Sequence, residues 1–195
     1  MTATTRLASL VDAVLARPPR LGRVRLVAVD GPTGAGKSTF AERLAAAFRA
    51  VDVRVAVVPT DDLLDGWEDI VTFWPRLERR VLTPLSRGEP ARYRPYDWGL
   101  RRFGDSWQVI DPPDVLLLEG VTSARSEVRD RLSLAVFVDA PERLRLDRVL
   151  TRDGAEVRVD LLRWIAAERA HFVADGTRQA ADVVVDAAPT EDDPR

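Results

Sequence analysis

Residues Gly31-Pro32-Thr33-Gly34-Ala35-Gly36-Lys37-Ser38-Thr39 fit the pattern G-x-x-x-x-G-K-[ST], a loop built to hold phosphate. A chain that wraps a polyphosphate must bring backbone amides against its oxygens, and glycine removes the Cβ that would block the approach. The amides then form an anion-binding nest, reinforced by the positive end of the helix that follows. Lys37 supplies a point charge for the outer phosphates, and the Ser38 hydroxyl is placed to ligate Mg2+. The chain has 29 Lys plus Arg, and Lys37 is its sole lysine. Arginine, bulkier and forked, does not substitute at such a position. Two acidic sites lie elsewhere: Asp61-Asp62, after the run Val53–Val58, and Glu119, after Leu116-Leu117-Leu118. A carboxylate near an acceptor hydroxyl can take its proton, and another can hold Mg2+ through water. Asp61 suits the first role, with a turn or helix cap as its alternative. Glu119 suits the second, with a plain strand-end charge as its alternative. Asp62 reads as a cap or water-facing residue. Arginines supply counter-charge: among Arg143, Arg145, Arg148, Arg152 and Arg158, the expectation rests on Arg148 and Arg152.

These residues need a scaffold that brings them to one edge. Val24–Val29 has strand length and is mainly apolar, and Phe40–Phe48 has helical period, so strand, glycine loop and helix follow in the required order. Five strands are expected, at Val24–Val29, Val53–Val58, Val115–Gly120, Leu134–Val138 and Ala181–Asp186, alternating with helices. The fold class is therefore α/β: a doubly wound parallel sheet of about five strands with helices on both faces. The chemistry of such sheets lies at the strands' carboxyl ends, where Asp61 and Glu119 fall. A helix over Thr5–Arg17, stopped by Pro18-Pro19, should pack on the fold as part of a lead-in over residues 1–23. The main domain covers 24–186. Within it an acceptor-side insertion runs from about 63 to 110. It holds a loop over 63–73, a helix from Trp74 to about Arg87 that Pro84 should kink or end early, and a hairpin-like pair of strands at Arg92–Tyr96 and Trp107–Ile110. The Pro141 helix should end near Thr151, and an arginine-bearing lid should span about 152–159. Residues 187–195, acidic and carrying two prolines, read as a frayed tail.

Composition sets outer bounds. At 195 residues one domain is expected. A net charge of −2 argues against a general nucleic-acid binder. No apolar run reaches a membrane span, and the absence of cysteine suits a cytosolic protein. Trp67, Trp74 and Trp98 fall in the acceptor-side segments, where a flat ring can stack on a base or sugar or fill the subdomain's core. His171, beside Phe172 on an amphipathic helix, reads as structural.

Taken together, the motifs resemble the uridine kinase-like branch of the P-loop kinases, with its phosphoribulokinase and pantothenate kinase relatives, over roughly residues 24–186. Thr60-Asp61-Asp62-Leu63-Leu64 resembles the strand-end segment whose aspartate serves as base. Leu85–Pro90 with Arg94-Pro95-Tyr96-Asp97-Trp98 is similar to the acceptor-site element R-G-x-P…x-Y-D-[FW]. Asp114–Gly120 resembles the D-V-x-x-x-E-G strand, Arg148–Asp153 the lid start R-x-x-x-R-D, and Phe172-Val173 with Ala181–Val185 the closing segment. The resemblance implies MgATP as donor and a small-molecule hydroxyl as acceptor, a nucleoside such as uridine or cytidine or a related metabolite. It implies Asp61 as base, Lys37, Arg148 and Arg152 at the transferring group, Ser38 and Glu119 on Mg2+, and Tyr96, Trp98 and Arg101 at the acceptor. Three departures lie on the acceptor side: Arg101-Arg102 stand where a histidine is set against the base, Leu63-Leu64 replace Phe-Tyr, and the lid is plainer over Gly154–Val159. A different class, a nucleotide-binding regulatory module without an acceptor, has little use for the aromatic hairpin between Trp67 and Trp107. A nucleotide monophosphate kinase is a third reading, and association into oligomers is left open.

Overall fold

The structure is a computed structural model, and it describes residues 3–187. Along the chain come helix α1 (Ala3–Ala16), strand β1 (Arg25–Asp30), α2 (Lys37–Arg49), β2 (Val55–Pro59) and a 3-10 turn (Thr60–Leu63). The insertion follows: α3 (Trp74–Leu77), a π-helical segment (Glu78–Leu82), α4 (Thr83–Ser86), and β3 (Ala91–Tyr93), β4 (Tyr96–Asp97), β5 (Arg102–Phe103) and β6 (Gln108–Ile110). The chain then returns through β7 (Val115–Glu119), a 3-10 segment (Ser126–Arg131), β8 (Leu132–Asp139), α5 (Glu142–Asp153), α6 (Arg158–Asp175), α7 (Thr177–Ala180) and β9 (Val183–Asp186).

The five long strands form one parallel sheet in the order β2-β7-β1-β8-β9. Strand alternation divides its side chains between two cores. Val27, Val29, Leu117, Val136 and Val138 pack with α1 and α2, where Val14, Leu44 and Phe48 are fully enclosed. Leu26, Ala28, Leu116 and Leu118 face the other way, against Leu77, Leu82 and Leu85 of the insertion and Trp164 of α6. Each fully buried aliphatic side chain contributes about 1.5–3 kcal/mol, so a strand covered on both faces, such as β7, is held firmly. The lead-in helix packs as its spacing requires, through Leu10, Val11 and Val14. Among the described residues no helix is long and apolar enough to cross a membrane.

The insertion departs from expectation in its details. The stretch beginning at Trp74 is three joined helical pieces rather than one helix kinked at Pro84. A proline ring collides with the carbonyl four residues earlier, here Arg80, and the wider π-helical turn over Glu78–Leu82 relieves that collision before Pro84 enters the first turn of α4. The expected strand Arg92–Tyr96 divides into β3 and β4, because Pro95 between them has no amide to donate. β3 pairs with β6 and β4 with β5, both antiparallel, making a two-tier hairpin. Arg152 and Asp153 form the last turn of α5 instead of breaking it, and the helix ends at Gly154 in a positive-φ conformation. The segment read as a lid thus comprises the end of α5, a short connection over 154–157 and the start of α6. The last strand starts at Val183, since Asp182 turns its carboxylate to the Ala135 amide and to Arg17. The expected tail is described only at Ala187; the rest of it lies outside the described residues.

Candidate active site

Register alone brings three distant parts of the chain to one rim. Glu119, the last residue of β7, is paired with Val29 of β1 on one side and with Pro59 of β2 on the other. Asp30 and the phosphate loop continue from Val29, and Thr60-Asp61 continue from Pro59. The three segments therefore leave the sheet side by side at its carboxyl edge, where parallel sheets open a crevice.

The phosphate loop is tightly fitted. Gly31 sits at φ 140° with the Val138 carbonyl oxygen where a Cβ would stand, so no other residue fits there. α2 starts at Lys37 from Gly36, which holds a left-handed conformation. The amides of Gly36, Lys37 and Ser38 have no acceptor among the described residues and form the positive mouth of α2. The Lys37 ammonium is buried and donates to the Pro32 carbonyl at 3.2 Å.

Facing Lys37 are three carboxylates, Asp30, Asp61 and Glu119, all within its electrostatic reach. Burial pushes Glu119 up to about 7, a rise that Lys37 and a hydrogen bond from Ser38 partly oppose and Asp61 and Asp30 reinforce. Asp61 keeps an exposed surface although protein crowds around its carboxyl. That burial raises its carboxyl, while Lys37 and Arg152 pull it down. Three acids gather around one buried lysine, with Arg152 adding a second positive charge at the rim, and a divalent cation on Glu119 would offset the negative charge that remains. The residues present fit Mg2+, which keeps most of its water and takes only one or two protein oxygens. No group of three or more His, Cys, Asp or Glu among the described residues could cage a metal alone. Ser38, already in contact with Glu119, and Glu119 itself are the side chains that would hold the ion.

A pH-dependent prediction arises here. The Glu119 pKa in the folded chain, about 7, lies above its ordinary 4.5. Its contribution to stability is thus complete below 4.5 and lost as pH rises through 7. A cation reverses the balance by favouring the carboxylate. Binding of MgADP at pH 7 should release protons from Glu119, read by calorimetry in buffers of different ionisation enthalpy. Glu119→Gln should abolish that release and flatten the fall in stability between pH 5 and 8; an unchanged proton count would show that Glu119 is already ionised.

Of the expected arginines, Arg152 lies at the rim. Its charge bears on Asp61 and Glu119 while Asp153 holds its guanidinium at 2.6 and 2.7 Å. Arg148 is turned to the loop's outer side, donating to the Gly34 and Ala187 carbonyls. Tyr96 is buried between the rings of Trp98 and Phe103 at 5.1 and 5.3 Å. Trp98 also meets Trp67 edge-on, and Trp67 meets Trp164, so this aromatic chain leads from the hairpin to α6. Arg101 stands exposed at the hairpin tip with φ 52°. Asp62 accepts a hydrogen bond from the Tyr93 hydroxyl at 3.2 Å.

Two supports escaped the sequence. Asp30 accepts from the amides of Gly31, Thr122 and Ala124, tying the loop after β1 to the loop after β7; burial still raises its carboxyl to about 6. Its signal was a carboxylate closing an apolar strand, which demands a partner. Thr33 is held at three points from elsewhere in the fold. Glu168 accepts from its amide at 2.9 Å, Arg145 donates to its carbonyl at 3.0 Å, and the Trp164 indole donates to its hydroxyl at 2.7 Å. Arg145 and Glu168 form a buried ion pair at 3.3 Å. Trp164 and Glu168 share a face of α6 four residues apart, the one signal a sequence offers for this clamp.

A strand–glycine loop–helix unit with a lysine in its nest and acidic residues on the neighbouring strand ends defines a nucleotide-phosphate-binding protein of the P-loop class. The profile of the AAA domain matches residues 27–173, and the chain belongs to that family. Its relatives include a phosphoribulokinase from Synechocystis sp., 29% identical over 188 residues, 88% of this chain and 56% of that protein. The chain thus spans just over half of that relative's length. A uridine kinase from Latilactobacillus sakei subsp. sakei is 25% identical over 82% of this chain and 84% of its own. Among solved structures, one described as a possible uridine kinase from Bacillus stearothermophilus superposes with a TM-score of 0.72 at 21% identity, covering 95% of this chain and all of that one. D-glycerate 3-kinase from Cryptococcus neoformans var. grubii superposes with a TM-score of 0.61 at 13% identity, covering 96% of this chain and 97% of that one. At such identities the two structures speak for the fold alone.

Proposed function

We propose that this chain is a small-molecule kinase that transfers the γ-phosphate of MgATP to a hydroxyl group. The observation that carries the reading is the meeting of Lys37, Asp61 and Glu119 at one sheet rim, beside an insertion with its own cavity. Lys37 and the free amides of the loop bind the phosphates. Ser38 and Glu119 are the groups for Mg2+, whose charge when bound supports the leaving diphosphate. Asp61 accepts the proton of the acceptor hydroxyl as its oxygen bonds to the γ-phosphorus. The bridging P–O bond breaks and ADP leaves with the electron pair. Arg152 is the group that would offset charge spreading over the transferring oxygens. The domain that does this runs over 24–186, with the lead-in at 1–23 as packing.

The insertion favours transfer over regulation. A module that only senses nucleotide needs no walled space next to Asp61-Asp62. Within the family's chemistry, uridine fits this chain poorly: Tyr96 and Trp98 are already packed by Trp67 and Phe103 rather than left open for a base. The test is a panel of nucleosides, sugars, polyols and hydroxy acids with MgATP, scored for acceptor-dependent ADP release and phosphorylated product. ADP release that no hydroxyl compound accelerates would favour the regulatory ATPase instead.

A further inference from the structure

The insertion holds a cavity of about 280 Å3, and its charge is one-sided. Arg76, Arg79, Arg80 and Arg94 line it together with Tyr93 and Trp107, and no carboxylate is among its walls. Arg76 is matched by Asp69 at 2.8 Å. The other three have no ion pair among the described residues. Of the acids nearby, Glu78 is held by both arms of Arg131, and Asp105 lies in the fork of Arg102 with Arg94 also within its electrostatic reach. Aromatic rings set the cationic groups in place. Arg94 and Arg80 lie over the Trp107 ring at 4.7 and 5.6 Å, and Arg76 lies over Phe103 at 4.8 Å. Two guanidinium groups gathered on one ring repel each other, and an anion between them turns that repulsion into attraction. Trp107 keeps 46% of its surface exposed, so the opening is accessible from solvent.

The cavity reaches the reaction rim by covalent and hydrogen-bonded steps. Leu63, at its base, belongs to the same 3-10 turn as Asp61. Tyr93, in its wall, donates to Asp62. A molecule seated here with its hydroxyl at Asp61 would point its other end at the arginines.

We propose that the cavity receives an anionic group, phosphate or carboxylate, carried by the acceptor. The substrate class is then a short hydroxylated carbon skeleton already bearing such a group, rather than a neutral nucleoside. Planar guanidinium forks match both anions, and their gathering here makes charge the main discriminator between acceptors. This inference rests on the kinase reading above.

Two measurements test it. The first titrates inorganic phosphate into protein saturated with MgADP, so that the loop at Lys37 is occupied, and compares wild type with Arg79→Ala/Arg94→Ala. Saturable binding is expected, weakened at least about 10-fold in the double variant, with MgADP affinity unchanged. Equal binding in both proteins, or none in either, overturns the proposal. The second measures transfer to matched pairs of hydroxyl compounds with and without a phosphate or carboxylate. The anionic member should be preferred, and the double variant should raise its KM at least about 10-fold with little change in kcat. Turnover of the neutral members with KM unaffected by the double variant overturns the anionic acceptor and leaves the kinase intact. Arginine-dependent phosphate binding with no transfer to either set overturns the proposal through the kinase reading beneath it.

Discussion

Lys37→Ala should lower phosphate transfer by about 1,000-fold, the scale of losing a preorganised charge at a developing anion. The geometry makes this residue hard to replace. Its ammonium is buried within reach of Asp30, Asp61 and Glu119, and it is held to the Pro32 carbonyl inside the loop. Without it the phosphates meet three carboxylates with only Arg152, itself held by Asp153, as fixed countercharge. The same removal should push Glu119 and Asp61 further up, so proton release on MgADP binding should grow while nucleotide affinity falls. Lys37→Arg should recover little, because a bulkier, forked guanidinium does not reproduce the point charge held inside the loop against the Pro32 carbonyl. The chain should remain folded in both variants, since the buried carboxyls can take protons in place of the lost ammonium. Unaltered rate and nucleotide affinity in Lys37→Ala would remove the loop from the mechanism.

Asp61→Asn should separate binding from transfer. The amide keeps the side chain's size, so MgADP affinity should change less than about 2-fold while turnover falls at least about 100-fold, the range for a positioned general base. The rate should also carry a pH signature. Asp61 accepts a proton only when ionised, and burial raises its carboxyl, so the wild-type rate should climb with pH through that raised value. The climb should be absent in the variant. An Asp61→Asn enzyme that turns over at the wild-type rate would assign the base elsewhere, Asp62 being the alternative within reach of the same turn.

What the sequence revealed follows from how local each signal is. The loop, the five apolar strands and the carboxylates at their ends were legible, because a glycine pattern and a buried strand are properties of a few neighbouring residues. The meeting of Asp61, Glu119 and Lys37 could be inferred from the rule that parallel strands present their carboxyl ends together. The clamp on Thr33 could not, because it joins residues 112 to 135 positions apart by hydrogen bonds that no periodicity encodes. The π-helical turn before Pro84 was missed for a related reason: proline announces a conflict with the helix but not how the backbone resolves it. In an arginine-rich chain the composition does not tell a solvated guanidinium from one gathered on Trp107, and only the folded insertion sorts them.

The central claim is that a phosphate leaves ATP for a carbon-bound hydroxyl under the control of this rim. It is tested most directly by following the γ-phosphate itself. Protein given γ-labelled MgATP and a mixture of hydroxylated metabolites, anionic members included, should place the label on an organic acceptor, and Asp61→Asn should suppress that product. Label recovered only as inorganic phosphate, at a rate no metabolite changes, would contradict the account.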